Sequence, residues 1–263
     1  MLGRSVVAAA ERAGHEVVAL SRSDLDITDP AAVAAAVRDE VVVNCAAFTD
    51  VDGAEGAEDL ATLVNGDAPG YVASAARAVL QPSTDYVFDG SKRTPYLESD
   101  STGPRSAYGR SKLAGERGVT AANPRHFIVR TSWLFGAGGR NFVDTMLGLA
   151  GERDELKVVD DQVGCPTYAG HLATALVELA ESDAYGIHHV AGAGACSWFD
   201  FAAEIFRRAE ADVRLVPCTT DEFPRPAQRP AYSVLASERP DGVRLPDWRE
   251  GLAAYLAERA PAR

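Results

Sequence analysis

Disulfide and metal-ligand patterns are missing from this chain. Its four cysteines, Cys45, Cys165, Cys196 and Cys218, are scattered over 263 residues, with no C-x-x-C pair and no histidine at ligand spacing. Free, buried thiols in a reducing compartment are expected, and a disulfide frame or a Cys/His metal site is not. No apolar run approaches the roughly 20 residues that a helix needs to cross a bilayer, and no signal peptide opens the sequence. A cytoplasmic protein without a membrane partner is the expectation. Positive charge is also scarce: 26 Lys and Arg stand against 38 Asp and Glu, a net charge of −12. Such a surface repels phosphate backbones, which argues against nucleic acid as a partner. A small anionic ligand remains compatible if its site is locally positive. No repeat or low-complexity tract is present.

What the chain does have is an alternation of helical and strand patterns. A helix over 4–12 ends at Gly14, and 15–20 reads as a strand. Asp29-Pro30 caps a helix running to about 38, and the continuous apolar run over 41–47 reads as a strand covered on both faces. Helices over 57–65 and 68–78, a strand over 79–83, a helix over 107–118 and a strand over 126–130 follow. This repetition predicts an α/β protein with a doubly wound parallel sheet, its ligands beyond the carboxyl ends of the strands. Past about Gly136 the pattern loosens into helices over 141–150, 171–181 and 198–209, with short strands over 156–159 and 188–191 between them. The domain expectation is a Rossmann-like unit at 1–135 and a mainly substrate-binding region at 136–263, interleaved with the first.

A dinucleotide-binding sheet normally opens with a buried strand and a glycine-rich turn that receives the pyrophosphate. Here only Gly3 could belong to such a turn, and the first strand and the other glycines are absent. Two helix-to-strand joins, at 38–41 and 76–79, are shorter than the usual two to six residues with a breaker. A displaced start, or residues lost from the sequence, is the expectation.

The chemistry-bearing residues lie in two segments. Ser83-Thr84-Asp85-Tyr86-Val87-Phe88 precedes Tyr108-Gly109-Arg110-Ser111-Lys112, and Tyr108 and Lys112 stand four apart, on one face of a helix. A phenol with a pKa of about 10 is a poor acid or base at neutral pH, and a nearby ammonium would lower it. Thr84 could hydrogen-bond a carbonyl being protonated. By spacing alone a half-buried aromatic and a solvated lysine is the favoured reading of the pair; the preceding S-T-D-Y-V-F segment reverses that in favour of catalysis.

These segments, with Val43-Asn44-Cys45-Ala46-Ala47-Phe48-Thr49-Asp50-Val51-Asp52, Arg130-Thr131-Ser132-Trp133-Leu134-Phe135, Asp161-Gln162-Val163-Gly164-Cys165-Pro166-Thr167 and, less specifically, Arg229-Pro230, resemble the dTDP-4-dehydrorhamnose reductases. These are extended short-chain dehydrogenase/reductases. The resemblance runs from Gly3 through nearly the whole chain.

The resemblance implies that Tyr108 protonates the C4 oxygen of a 4-keto sugar, Thr84 polarises that carbonyl, and Lys112 lowers the phenol's pKa and holds the nicotinamide ribose. Asp85, Tyr86 and Val87 would line the sugar pocket. Trp133 would pack on the sugar or its nucleotide, an ordinary core tryptophan being the competing reading. Asn141 and Arg229 join the substrate list, although Asn141 could simply cap its helix. Gly3, Arg22, Asp26, Ile27, Ala46, Ala47, Thr49 and Asn65 would meet the cofactor with Tyr108 and Lys112. Arg22 stands where an acidic residue would select NAD, which favours NADPH, with NADH as the alternative and a plain surface arginine as the bland reading. Asn65 could equally just complete a helix. Mg²⁺ between carboxylates is known in relatives, but no residue here identifies a site. The implied activity is NADPH-dependent reduction of dTDP-4-dehydro-6-deoxy-L-mannose, or a close relative, by a monomer or homodimer. The alternatives are a nucleotide-sugar epimerase or dehydratase and a non-catalytic NADP-binding subunit.

Overall fold

A computed structural model of the chain describes residues 1–259. At its centre lies a wholly parallel sheet of order β1–β2–β3–β8, made of β1 (Val41–Val43), β2 (Ala78–Thr84), β3 (His126–Thr131) and β8 (Gly186–His189). Successive strand residues point to opposite faces, and here both faces are apolar. Leu80, Phe127 and Val129 pack on α1 (Leu2–Arg12) and α8 (Ala169–Ala180). Val79 and Ile128 pack on α2 (Pro30–Ala36), α5 (Ala68–Ala75) and α6 (Ala107–Ala122). The result is the expected α/β layering.

Between β1 and α5 lie two short helices, α3 (Gly53–Gly56) and α4 (Glu58–Thr62), and a π-helical turn, Leu63–Asp67, that runs α4 into α5. A second core forms around Phe135, Phe201, Trp248, Leu252 and Tyr255. It is enclosed by α7 (Phe142–Ala150), α9 (Trp198–Ala209), α10 (Trp248–Arg259) and the parallel pair β5 (Glu155–Val159) and β10 (Arg214–Cys218). Two short pairings complete it: β4 (Leu134–Phe135) with β7 (Thr167–Tyr168), and β6 (Val163–Gly164) with β9 (Cys196–Ser197). Since β8 follows these first elements in sequence yet pairs with β3, the chain returns to the central sheet after leaving it.

The caps read from sequence are present. Asp29 accepts from the Ala31 and Ala32 amides ahead of α2, and Ser197 and Asp200 form a reciprocal capping box on α9. Residues 15–20, expected as a strand, are not one: Val18 is 80% and Leu20 51% exposed. A strand exists only beside a hydrogen-bonded neighbour, and among the described residues the sheet ends at β1 with no segment paired outside it. The strand expected over 41–47 likewise stops at Val43, and the rest runs on as a loop. At one abrupt join Asp39 adopts φ +57°, a left-handed conformation that shortens the turn.

Beneath α6 lies a buried ion pair. Arg130 on β3 grips Glu116 on α6 through two bonds, Nε to Oε1 at 3.0 Å and Nη2 to Oε2 at 2.7 Å, and Ser83 on β2 donates a third to Oε1. Both charged side chains are at most 5% exposed. Removing one partner strands the other charge out of water. Glu116→Ala should therefore lower unfolding free energy by about 3–5 kcal/mol in urea titrations, while Glu116→Leu/Arg130→Met should cost much less. Equal losses for both proteins would show that the pairing is not what matters.

Candidate active site

Thr84 ends β2 and is paired in register with Thr131, the end of β3, so both stand at the carboxyl edge of the sheet. There Thr84 caps a single 3₁₀ turn, Asp85–Val87: its Oγ1 accepts from the Tyr86 amide and donates to Asp85 Oδ1, each at 3.1 Å. The helix α6 starts opposite, capped by Ser106, whose Oγ accepts from the Gly109 amide at 3.1 Å. Gly109 has to be glycine, because a Cβ would collide with the Tyr86 carbonyl. That close approach brings the Tyr108 ring edge-on to Tyr86, with centroids 5.7 Å apart at 80°. Lys112 follows one turn later on the same face.

Burial dominates the electrostatics. It pushes the Tyr108 phenol up to about 12, the Asp85 charge adds to the rise, and a hydrogen bond from Thr84 opposes it. Lys112, only 5% exposed, donates Nζ to the Pro82 carbonyl at 2.7 Å. Desolvation pulls it down to about 8 against the opposing charge of Glu116. The expected lowering of the phenol by the ammonium is not seen: Lys112 has no part in the Tyr108 shift, and desolvation raises it instead. Asp85, 2% exposed, is pushed up to about 6 by burial, against hydrogen bonds from Ser233 and Thr84.

Several residues expected at ligands are committed elsewhere. The side chain of Asn65, in the π turn, is saturated: Oδ1 accepts from the Phe48 amide at 2.8 Å, and Nδ2 donates to the Phe48 carbonyl and to Ser111 Oγ, both at 3.0 Å. It is 1% exposed and clamps the loop after β1 onto α6. Asn141 caps α7 through the Asp144 amide and spends Nδ2 on Gly136, Gly139, Asp144 and Tyr255, which makes it a structural cap. Val87 is fully buried among Phe88, Tyr96, Leu113 and Leu235. Arg229 makes a two-pronged bond to Asp52, at 3.0 and 2.9 Å, and its charge reaches Tyr86. Asp52 had only its place in a motif to announce it; its partner is 177 residues away.

For a dinucleotide, the nicotinamide-ribose end of the site fits. Lys112 is buried yet makes a single hydrogen bond, which leaves two N–H donors beside Tyr108. A Cβ on Gly3 would make only ordinary contact with Cys45, at 3.4 Å, so α1 lies beside Cys45 without requiring glycine there. Ala46 and Thr49 are exposed and Ala47 half-buried just past β1. Arg22 and Asp26 lie on an exposed turn, where Asp26 accepts from the Thr28 amide and hydroxyl, and Ile27 is tucked against the core. Among the described residues no group of three or more His, Cys, Asp or Glu side chains could hold a metal ion.

Asp85 carries a pH signature. Its folded pKa lies above the unfolded value, so the folded state holds the extra proton between about 3.8 and about 6. Its contribution to stability is full below that window and is lost as pH rises through it. Asp85→Asn should remove this downward slope, so that unfolding midpoints of variant and wild type diverge in the variant's favour from pH 4 to about 6. Parallel profiles would contradict the assignment.

A family profile described as "RmlD substrate binding domain" matches residues 1–260. A dTDP-4-dehydrorhamnose reductase of Streptomyces griseus is 48% identical over 276 residues, covering 100% of this chain and 90% of the relative. That alignment is longer than this chain of 263 residues, so the relative carries residues without a counterpart here. Among solved structures, a dTDP-4-dehydrorhamnose reductase of Clostridium acetobutylicum superposes with TM-score 0.94 at 45% identity, covering 98% of this chain and 95% of that one. The Bacillus anthracis dTDP-4-dehydrorhamnose reductase in complex with NADP gives the same TM-score at 38% identity and the same coverages. No helix among the described residues is long and apolar enough to cross a membrane. With a profile match along nearly its whole length and relatives this similar over 90% or more of their own length, the chain belongs to the dTDP-4-dehydrorhamnose reductase (RmlD) family.

Proposed function

We propose that the protein reduces the C4 ketone of dTDP-4-dehydro-6-deoxy-L-mannose, or of a close dTDP-deoxysugar relative, using NADPH. The observation that carries this reading is the convergence of Thr84, Tyr108 and Lys112 at the carboxyl edge of the sheet, in a chain whose relatives are named for this reaction. NADPH, when bound, supplies the hydride, and its choice over NADH is supported by the NADP complex of the Bacillus anthracis relative and by Arg22.

The protein's own residues handle the proton. Held near 12, the Tyr108 phenol is fully protonated at neutral pH and enters as an acid, donating to the ketone oxygen as negative charge develops there. Thr84 Oγ1, held by the Tyr86 amide, turns its one O–H from Asp85 Oδ1 to the same oxygen as charge develops there. Lys112, one helical turn on, presents its two remaining donors to the ribose hydroxyls. Its pKa of about 8 suits repeated proton exchange near neutral pH. Tyr86, Asp85 and Trp133 border the sugar nucleotide, and the exposed Ala46–Thr49 strip beside Gly3 takes the pyrophosphate side of the cofactor. A dehydratase would want further acidic groups after the threonine, and the Thr84-Asp85-Tyr86 turn holds one.

Absorbance of NADPH should fall in proportion to added keto sugar. Tyr108→Phe should lower kcat at least about a hundredfold with NADPH affinity within threefold of wild type. A variant with unchanged kcat would remove Tyr108 from the reaction. Lys112→Ala should lose turnover and also weaken NADPH binding in a calorimetric titration; unaltered binding would contradict the ribose contact.

A further inference from the structure

Trp133 holds a backbone conformation that its residue type avoids. Its φ is +48°, in the left-handed region where a bulky aromatic is an outlier and persists only if its surroundings hold it there. Those surroundings are specific. The indole lies flat on Trp198, centroids 3.5 Å apart and planes 5° from parallel, and Trp198 is backed in turn by Phe142 at 4.6 Å. On the Gly164 side there is no room even for a methyl group, because a Cβ there would overlap the Trp133 ring. The Trp133 carbonyl accepts from the Thr167 amide at 3.2 Å, and the neighbouring Ser132 hydroxyl donates to the Cys165 carbonyl at 2.7 Å.

The clamp is a single unit. Gly164 pairs with Cys196 and Val163 with Ser197 in the β6–β9 ladder, which ties the loop under Trp133 to the start of α9, where Trp198 is the first residue. Ser197 caps that helix and also donates to Asp160 Oδ1 at 2.6 Å. Trp133 itself stands two residues beyond Thr131, the register partner of Thr84. The strained aromatic therefore sits beside the threonine that faces the substrate carbonyl, and it is only half-buried.

We propose that Trp198 is a positioning residue for substrate recognition: with Gly164 it clamps Trp133 in its left-handed conformation, and so fixes the indole edge as a wall of the dTDP-sugar site. The proposal rests on the functional reading above and deepens it, since neither Trp198 nor Gly164 touches the reacting groups. An indole free to leave this conformation would relax to an ordinary backbone geometry and take the wall with it. Face contact between the two indoles also takes apolar area out of water, and Trp198→Leu would give part of it back. Loss of that contact should fall on sugar-nucleotide affinity and not on the proton-transferring set.

Two stacked indoles couple excitonically, so the wild-type protein should show a far-ultraviolet circular dichroism couplet that both Trp133→Phe and Trp198→Phe abolish. Calorimetry with dTDP-L-rhamnose should show about tenfold weaker binding for Trp198→Leu, with partial rescue in Trp198→Phe, and KM for the keto sugar should rise in step. NADPH affinity should stay within twofold. Gly164→Ala, which crowds the ring from the other side, should weaken sugar-nucleotide binding in the same way. Wild-type affinity for dTDP-L-rhamnose in Trp198→Leu, or an equal loss of NADPH affinity, would overturn the clamp. Should Trp198→Leu fail to fold, the Trp198→Phe protein decides by the same two affinities. Wild-type protein that binds dTDP-L-rhamnose but turns over no 4-keto sugar would refute the reductase reading, and the binding data alone would then judge the clamp.

Discussion

Glu116 and Arg130 meet beneath α6 with both charges out of water, and the position of every candidate catalytic group follows from that contact. Tyr108, Lys112 and Glu116 recur every fourth residue on one helix face, so anchoring the last fixes the height of the first two above the sheet. Ser83, which also bonds Glu116, immediately precedes Thr84 on β2. One buried carboxylate thereby references Tyr108, Lys112 and Thr84 to a common origin. Glycines let the helix settle: a side chain at Gly115 would strike the Asn65 carbonyl, and one at Gly109 the Tyr86 carbonyl. Asn65 closes the arrangement from the other side through Ser111, whose hydroxyl donates to the Tyr108 carbonyl at 2.8 Å.

Desolvation, more than pairwise charge, sets the character of the site. It raises the phenol and the Asp85 carboxyl and lowers the lysine, moving each toward its neutral form. A site biased in this way favours an acid that gives up its proton only when charge appears on the substrate. That is the demand of carbonyl reduction, where the alkoxide and the donor's proton meet in one step. Whether a phenol is poised as an acid or a base depends on this bias, which spacing along a helix does not reveal.

Much was legible in the sequence. The α/β order, the caps at Asp29 and Ser197, and the chemical identity of Thr84, Tyr108 and Lys112 are local matters, because periodicity, capping and a four-residue spacing act within one element. Asn65 and Asn141 read as ligand candidates because an asparagine near a motif looks the same whether its amide is free or spent. Their saturation depends on Phe48, Ser111 and Tyr255, which arrive from distant parts of the chain. The strand at 15–20 fails for the same kind of reason: its residues favour extension, but a strand is completed by a neighbour.

The sequence by itself determined the family and the fold class and nominated the candidate reacting groups, since these are written in contiguous motifs whose chemistry survives without knowing what packs on them. Tertiary structure alone decided which polar side chains are free, how far burial displaces each pKa, and that Trp133 is held by Trp198 and Gly164 in a conformation it would not choose. Hydrogen-bond saturation, desolvation and backbone strain all depend on atoms brought together across tens to hundreds of residues, and no local pattern encodes them.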